Sequence, residues 1–561
     1  MPKQLTMEAR ILIAFLLMGI VLVVFQYVYK PLPPPPPEAA QNKAAIPPPP
    51  PAAPPVKPPT PLPAESNSSK DAPGQIQAAS EETATVETDL YTVVLSNHGA
   101  VARSWILKKY KDNDGKPLEL VHQPSLAKVA APFSVVFKGQ PPSGDPNQGL
   151  YRITRAGSFE FTFEYSDGHL SSKKWLRFSP KQYVVEVSSE VMENGVRVPH
   201  SIAWRGGFGD ATAINATANE YSVFYDLPNA KLTQRPAKDA KDAPVSTSGQ
   251  YSFAGLADNY FAAVFLPLAN AGVEITTFSD TAPNSKGAEE ARVGAGVGGD
   301  GLNRFTLFVG PKDMDLLKSI DPKLEQLIDW GWFGIIAKPL FQILSWSSSH
   351  LGHNYGWGIM LVTVGINMLM LPLKFSTTKS SRKMQALQPQ ISAINEKYKS
   401  LSRTDPRKSE QQQETMALYK QHGVNPVGGC LPLLIQLPFL WAFYKVLNVS
   451  IEMRGAHWLW VSDLSQPESL PIHMLPVLMV ITQFVSQKMT PPSPGMDPMQ
   501  QKMMMFMPLL FAFMFYNLSA GLVLYWLTGN LVGIAQQWLL NRTYPAPAPV
   551  AVIPAKKKNR N

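Results

Sequence analysis

WGIMLVTVGINMLMLPLK, residues 357–374, decides how the rest of the chain is read. The run is apolar enough to sit in a bilayer. Thr363, Asn367 and Lys374 interrupt it at spacings of four and seven, which puts all three on one helical face. Polar groups inside a membrane are costly and tend to face a cavity or a partner. Hydrogen bonding to neighbouring helices explains a single such residue equally well. Three on one face, with polar residues on other apolar segments, point instead to a wet groove entered from one side of the membrane.

Working outward, residues 355–373 form a span closed by Pro372. Residues 374–425 are polar and strongly basic, which marks the cytoplasmic side. Met384, Leu387, Ile391, Ile394 and Tyr398 step by three and four there, and Met416 and Tyr419 lie on a second segment, so a helical hairpin is expected. Lys379, Arg382, Lys383, Arg407 and Lys408 are its candidate contacts with acidic partners. Further spans are expected at 426–447 (with Gln436), 472–487 (with Thr482, Gln483 and Ser486), 503–518 and 522–540 (with Tyr525, Trp526, Thr528 and Asn530). An acidic external loop, 448–471, and a short cytoplasmic loop, 488–502, join them. Residues 541–561 are a basic cytoplasmic tail. Methionines crowd 496–514, and such flexible, polarisable side chains suit varied apolar partners.

Toward the amino terminus, residues 1–10 are a short cytoplasmic segment. Residues 11–28 are an unbroken apolar run, longer than a typical signal-peptide core and without a small-residue cleavage site after it. They read as an uncleaved signal anchor. A proline-rich linker, 29–88, follows. Its polyproline blocks make it a stiff spacer. Residues 89–320 alternate in short segments such as LYTVVL (90–95), FEFTFEY (159–165) and RFTLFV (304–309), separated by turn residues. This is the pattern of an extracytoplasmic antiparallel β-sandwich. Trp175 and Trp204 read as sandwich core rather than a sugar platform. Residues 321–341 are expected to be an amphipathic helix lying in the membrane interface. The fold class is therefore a polytopic α-helical membrane protein of six transmembrane helices carrying an external β-sandwich.

The chain of 561 residues has a formal charge of +9 and one cysteine, Cys430, so an intramolecular disulfide is excluded. No catalytic constellation, nucleotide loop or metal-ligand cluster stands out, and no cofactor is expected. Spans two to six carry no acidic residue, which argues against a cation-coupled transporter, the competing reading. A greasy surface beside a weakly polar groove suits partitioning of a nascent apolar helix. Each Leu-type residue at the helix centre contributes roughly −0.3 to −0.6 kcal/mol to that step.

The segments GPKDMDLL (310–317), WGWFGIIAKPLF (330–341), VNPVGGCLPLLIQLPFLWAFY (424–444), DPMQQKMMMFMPLLFAF (497–513) and SAGLVLYWLTGNLVGIAQQ (519–537) together resemble the YidC/Oxa/Alb family of membrane protein insertases, in its Gram-negative form with a large periplasmic domain. The resemblance implies an inner-membrane insertase and chaperone, with nascent membrane proteins as clients. It further implies the ribosome, the signal-recognition-particle receptor, SecYEG and SecDF as partners, and no sequence-specific nucleic acid. It implies a hydrophilic groove at Thr363, Gln436 and Trp526, beside Tyr525. One departure matters. The family usually carries arginine where Asn367 stands. Lys374 is the expected substitute for that charge, reaching back along the face.

Overall fold

The computed structural model describes residues 74–543 apart from 214–215, 268–271, 285–286, 400, 402–404, 406, 425–430 and 490–497. The signal anchor, the proline tract, the basic tail from 544, Cys430 and Met496 lie outside the described residues.

The external part is built of antiparallel strands in sheets of eleven, five and four. Alternation places it. In Leu170–Phe178 every second side chain turns inward, from Leu170 through Leu176 to Phe178. Tyr91, Trp105, Phe133, Phe178 and Trp204 form one buried aromatic cluster, with Trp105 and Trp204 centroids 5.9 Å apart. Trp175 is half-buried and donates to Glu160 Oε1 at 2.9 Å. The linker expected to run to residue 88 stops earlier. Thr83–Glu87 pairs with Tyr91–Ser96 and buries Ala84 and Val86, so this short polar stretch belongs to the sandwich.

The interfacial helix expected over 321–341 is two elements instead. Asp321 caps a 3-10 turn, Pro322–Leu327, whose Leu324 and Leu327 are buried in the core shared with the sandwich. Gly331, with φ +67°, separates it from the helix that follows. Helix α1 is Met314–Ile320, and α2 is Gly334–His350. Lipid is therefore not what Leu324 and Leu327 meet. The exposed large apolar side chains of this region are Trp332, Phe333 and Ile335.

The remaining helices are α3, Tyr355–Leu369; α4, Leu371–Ala386; α5, Gln388–Lys397; α6, Lys408–Gln421; α7, Leu431–Val449; α8, Met474–Met489; α9, Pro498–Phe515; and α10, Ala520–Thr543. The helix begun by α3 does not stop at Pro372. It breaks at Met370 and restarts as α4, with Pro372 in the first turn and a bend of 52°. Proline has no N–H to donate and its ring clashes with the preceding turn, but the first turn of a helix tolerates both. Among the described residues no single helix is long and apolar enough to cross a membrane by itself, while the bent pair α3–α4 meets that test.

Surface composition separates the two parts. Among the described residues of the sandwich, Val196 is the one exposed large apolar side chain. On the helices Ile343, Trp346, Leu361, Leu369, Ile481, Phe506, Leu510, Phe513 and Trp538 are all exposed. An apolar surface of that extent marks a membrane or protein contact. The hairpin α5–α6 has its own small core, made by Met384, Leu387, Ile391, Tyr419 and Val424.

Candidate functional site

Helix α3 turns Thr363 and Asn367 toward α10. The Thr363 hydroxyl donates to Ile359 O at 2.6 Å, and Asn367 Nδ2 donates to Thr363 O at 2.9 Å. Both bonds run back four residues along the helix, so they leave Asn367 Oδ1 free to accept. Lys374, on the first turn of α4, fills that place. Its Nζ donates to Asn367 Oδ1 at 3.0 Å and to Gln536 Oε1 of α10 at 2.8 Å. Gln536 Nε2 closes the ring by donating to Asn367 O at 3.1 Å. The bend after Leu369 is what lets one face carry from α3 into α4.

Beside this ring lies a small cleft lined by Ile366, Asn367, Met370, Leu373, Lys374, Gln436 and Phe439. It sits between α3, α4 and α7. Lys374 is half-buried in its wall and donates to two side-chain amide oxygens, and among the described residues no carboxylate lines the cleft. The site thus holds a positive charge that neutral groups orient without cancelling. Such a charge favours an anionic group entering the cleft.

The expected groove residues divide by position. Asn367, Lys374 and Gln436 line the cleft together. Thr363 is fully buried one turn away. Tyr525 is buried, stacks on Phe443 at 4.5 Å, and its hydroxyl meets the Gln436 side chain. Trp526 lies on the other flank of α10, where its Nε1 donates to Gln483 Oε1 at 3.3 Å and its ring packs on Phe511 and Phe515. Gln536 went unread in the sequence. Tyr525, Gly529 and Gln536 repeat the four-and-seven spacing of Thr363, Asn367 and Lys374, and that echo is its signal. A Cβ at Gly529 would make ordinary van der Waals contact, 4.0 Å, with both Asn367 and Thr363, so α10 faces α3 at this position.

The basic hairpin residues are spread. Lys379 and Lys383 are exposed on α4, while Arg382 donates to Asn541 Oδ1 at 2.5 Å. Arg407 is exposed and pairs with Asp405 at 2.9 Å. Lys408 opens α6. Of the methionine cluster, Met507 is half-buried on α9.

The loop after α7 ties the helices to the sandwich. Arg454 is nine-tenths buried, donates to Lys111 O at 2.8 Å, pairs with buried Asp210, and lies over the Tyr260 and Phe261 rings. Nearby, burial lowers Lys312 to about 8 in spite of Asp258. Burial, then Asp313 and Asp315, push Glu452 up to about 7. This end of the bundle is therefore the sandwich side, and the hairpin leaves from the opposite end.

The family model for the 60Kd inner membrane protein matches residues 346–547, and that for the YidC periplasmic domain matches residues 83–343. The membrane protein insertase YidC of Ralstonia nicotianae is 34% identical over 497 residues, covering 87% of this chain and 88% of that protein. The membrane protein insertase YidC of Geotalea daltonii is 33% identical over 561 residues, covering 96% and 100%. A solved structure described as an active YidC insertase with the first transmembrane domain resolved is 20% identical, covers 84% of this chain and 95% of its own, and has a TM-score of 0.35.

Proposed function

Because the chain belongs to the YidC family of membrane protein insertases, we propose that the cleft beside Lys374 is where it receives a client. The chain is an inner-membrane insertase with a periplasmic domain, and nascent membrane proteins and lipid are its partners. In our reading a client's polar flank enters the cleft from the cytoplasm. Its apolar segment then slides into lipid along α7 and α9. Burial of apolar surface drives the step, and no bond is made or broken.

The observation that carries this reading is the Lys374 ammonium held between Asn367 Oδ1 and Gln536 Oε1 at the wall of a cleft that contains Gln436. A carboxylate or phosphate in the client flank would exchange its water for this charge at a depth where unpaired polar groups are costly. Arginine is the usual residue at Asn367, and here an amide passes the role to the lysine seven residues on.

Six transmembrane helices, both termini in the cytoplasm and the sandwich outside belong to the same proposal. The basic segments at 374–425 and 541–561 support it. So does the seating of the outer loop on the sandwich through Arg454. The ribosome and the signal-recognition-particle receptor at the hairpin, and SecYEG with SecDF beside the bundle, complete the proposed assembly.

The test is reconstitution of the purified chain in liposomes with a short phage-coat-like substrate carrying acidic flanks. Insertion that depends on the chain and falls when Lys374 is neutralised supports the reading. Insertion unaffected by Lys374 and Gln436 together removes the cleft from the mechanism.

A further inference from the structure

The loop between α7 and α8 carries a tight turn on the sandwich side of the bundle. Trp458 N–H donates to Val461 O at 2.9 Å and Val461 N–H donates to Trp458 O at 2.8 Å, which leaves Leu459 and Trp460 at the tip. Both base residues are buried, whereas Leu459 is 63% exposed and Trp460 40% exposed. Leu459 has φ +49°, in the left-handed region that suits glycine or asparagine. A turn that met only water would gain nothing from a strained leucine at its most exposed position.

The rest of the loop surface is uncharged. Between Gly455 and Ile472 the acidic side chains are Asp463 and Glu468, and no lysine or arginine accompanies them. Both acids are engaged within the structure. Asp463 Oδ1 accepts from the Ser465 N–H and hydroxyl at 2.8 and 2.7 Å. Buried Glu468 accepts from the Leu475 N–H at 2.8 Å and from Trp460 Nε1 at 2.6 Å. The Trp460 indole therefore needs no water for its N–H. Leu470 and Ile472 of the same loop are exposed as well.

The turn is continuous with a surface that suits lipid. Trp458 meets Trp357 of the first α3 turn edge-on, with ring centroids 5.6 Å apart. Trp357 and Leu361, one turn further on, are both exposed on the helix that together with α4 is apolar and long enough to span. An uncharged apolar tip beside that helix matches lipid rather than a charged protein surface. The backbone sets its depth. Among the described residues the N–H groups of Leu459 and Trp460 have no protein acceptor, so they must keep water or an ester carbonyl within reach. That excludes the hydrocarbon interior.

We propose that the Leu459–Trp460 turn is a lipid anchor in the outer leaflet, with its side chains among the upper acyl carbons and its backbone level with the ester carbonyls. The choice of leaflet rests on the reading that the sandwich lies outside, and the anchor is independent of the cleft. The same loop holds the sandwich through Arg454 and accepts the first N–H groups of α10 on Gln466 O and Leu464 O, at 2.8 and 2.9 Å. The anchor thus fixes the height of both above the bilayer.

The test is quenching in liposomes of phosphatidylethanolamine and phosphatidylglycerol that hold the purified full chain and no other protein. In the Cys430→Ser background, Leu459→Cys carries a nitrobenzoxadiazole label, and Val196→Cys, on the exposed sandwich surface, is the reference. Iodide on both sides of the membrane should quench the label at 459 at least about fivefold less than that at 196, as residence at the headgroup–acyl boundary implies. A spin-labelled lipid should quench the label at 459 more when its spin is near the headgroup than when it is near the chain end. Equal iodide quenching at 459 and 196 overturns the proposal. So does shielding from iodide without quenching by either lipid, since a second copy of the chain then covers the tip. Hydroxyl-radical footprinting of the unaltered chain in the same liposomes frees the test from the folding of any variant. Leu459 should be oxidised at least about fivefold less than Val196 on the same grounds, and equal oxidation overturns the proposal.

Discussion

Lys374 Nζ lies 3.0 Å from Asn367 Oδ1, across a 52° bend between the two helices that carry them. An asparagine thus holds a neighbouring ammonium in place. The positive charge of the site is borrowed from the next helix, and Gln536 supplies the second anchor at 2.8 Å.

Lys374→Gln should impair insertion of clients with acidic flanks by about tenfold, because a hydrogen bond to a charged group contributes ~1.5–3 kcal/mol. Lys379→Gln, on the exposed side of the same helix, should have little effect. Insertion assays in proteoliposomes with acidic and neutral flanks check both. Equal, small effects of the two substitutions would dismiss a role for the Lys374 charge.

A second positive charge set beside Lys374 should not be neutral. Asn367→Arg removes an acceptor from Lys374 and sets a guanidinium beside its ammonium, so activity should fall. Asn367→Arg combined with Lys374→Gln removes the repulsion and should recover most of it. Non-additivity of this kind is expected only of residues in contact. A purely additive pair would place the two side chains in separate roles.

Glu452 gives the outer joint a pH dependence. Burial and the facing Asp313 and Asp315 raise its carboxyl to about 7 in the folded chain, against 4.5 for the ordinary group. The folded state therefore binds the proton more tightly than the unfolded state does. The contribution of this group to stability is greatest below pH 4.5, declines as pH rises to about 7, and is constant above. Glu452→Gln should flatten that decline and stabilise the chain at pH 8, by on the order of 2 kcal/mol. Thermal unfolding in detergent between pH 5 and pH 8 measures it.

Gly356, in the first turn of α3, sits against the buried ring of Trp458, and a Cβ there would fall 2.2 Å from the ring carbons. Gly356→Ala should therefore cost about 1–3 kcal/mol, the usual range for overpacking. Trp458→Leu in the same chain should relieve part of that loss. Unfolding midpoints of the single and double variants decide the matter.

The sandwich was legible because alternation writes itself into sequence. Of Leu170–Phe178 only the end, WLRF at 175–178, stood out as a strand, and nothing announced that Ser172 and Lys174 would turn inward with the rest. The Lys174 ammonium is met by the carbonyls of Gly99 and Phe133 at 2.7 Å and Ala100 at 3.2 Å. Thr83–Glu87 escaped notice because five residues with two small apolar ones do not stand out beside a polar linker. The helical period grouped Thr363 and Asn367 of α3 with Lys374, which stands across the bend on α4 and donates to Asn367. Periodicity assigns faces but not partners, so it could not tell that Gln536 would complete the ring or that Trp526 would turn toward Gln483. Leu324 and Leu327 illustrate the same limit, since an apolar stripe looks identical whether it meets lipid or a sheet.

The account rests on water reaching Asn367 and Gln436 from the cytoplasm. Its most direct test replaces the single cysteine, Cys430, with serine and then places cysteine at Asn367, Gln436 or the exposed α3 position Leu361 in turn. Each variant is treated with a membrane-impermeant maleimide added on the cytoplasmic side of sealed vesicles. The account predicts rapid labelling of Asn367→Cys and Gln436→Cys, for which a water-filled cleft permits the thiolate, and none of Leu361→Cys, which faces lipid. Labelling at Asn367 and Gln436 as slow as at Leu361 would contradict it.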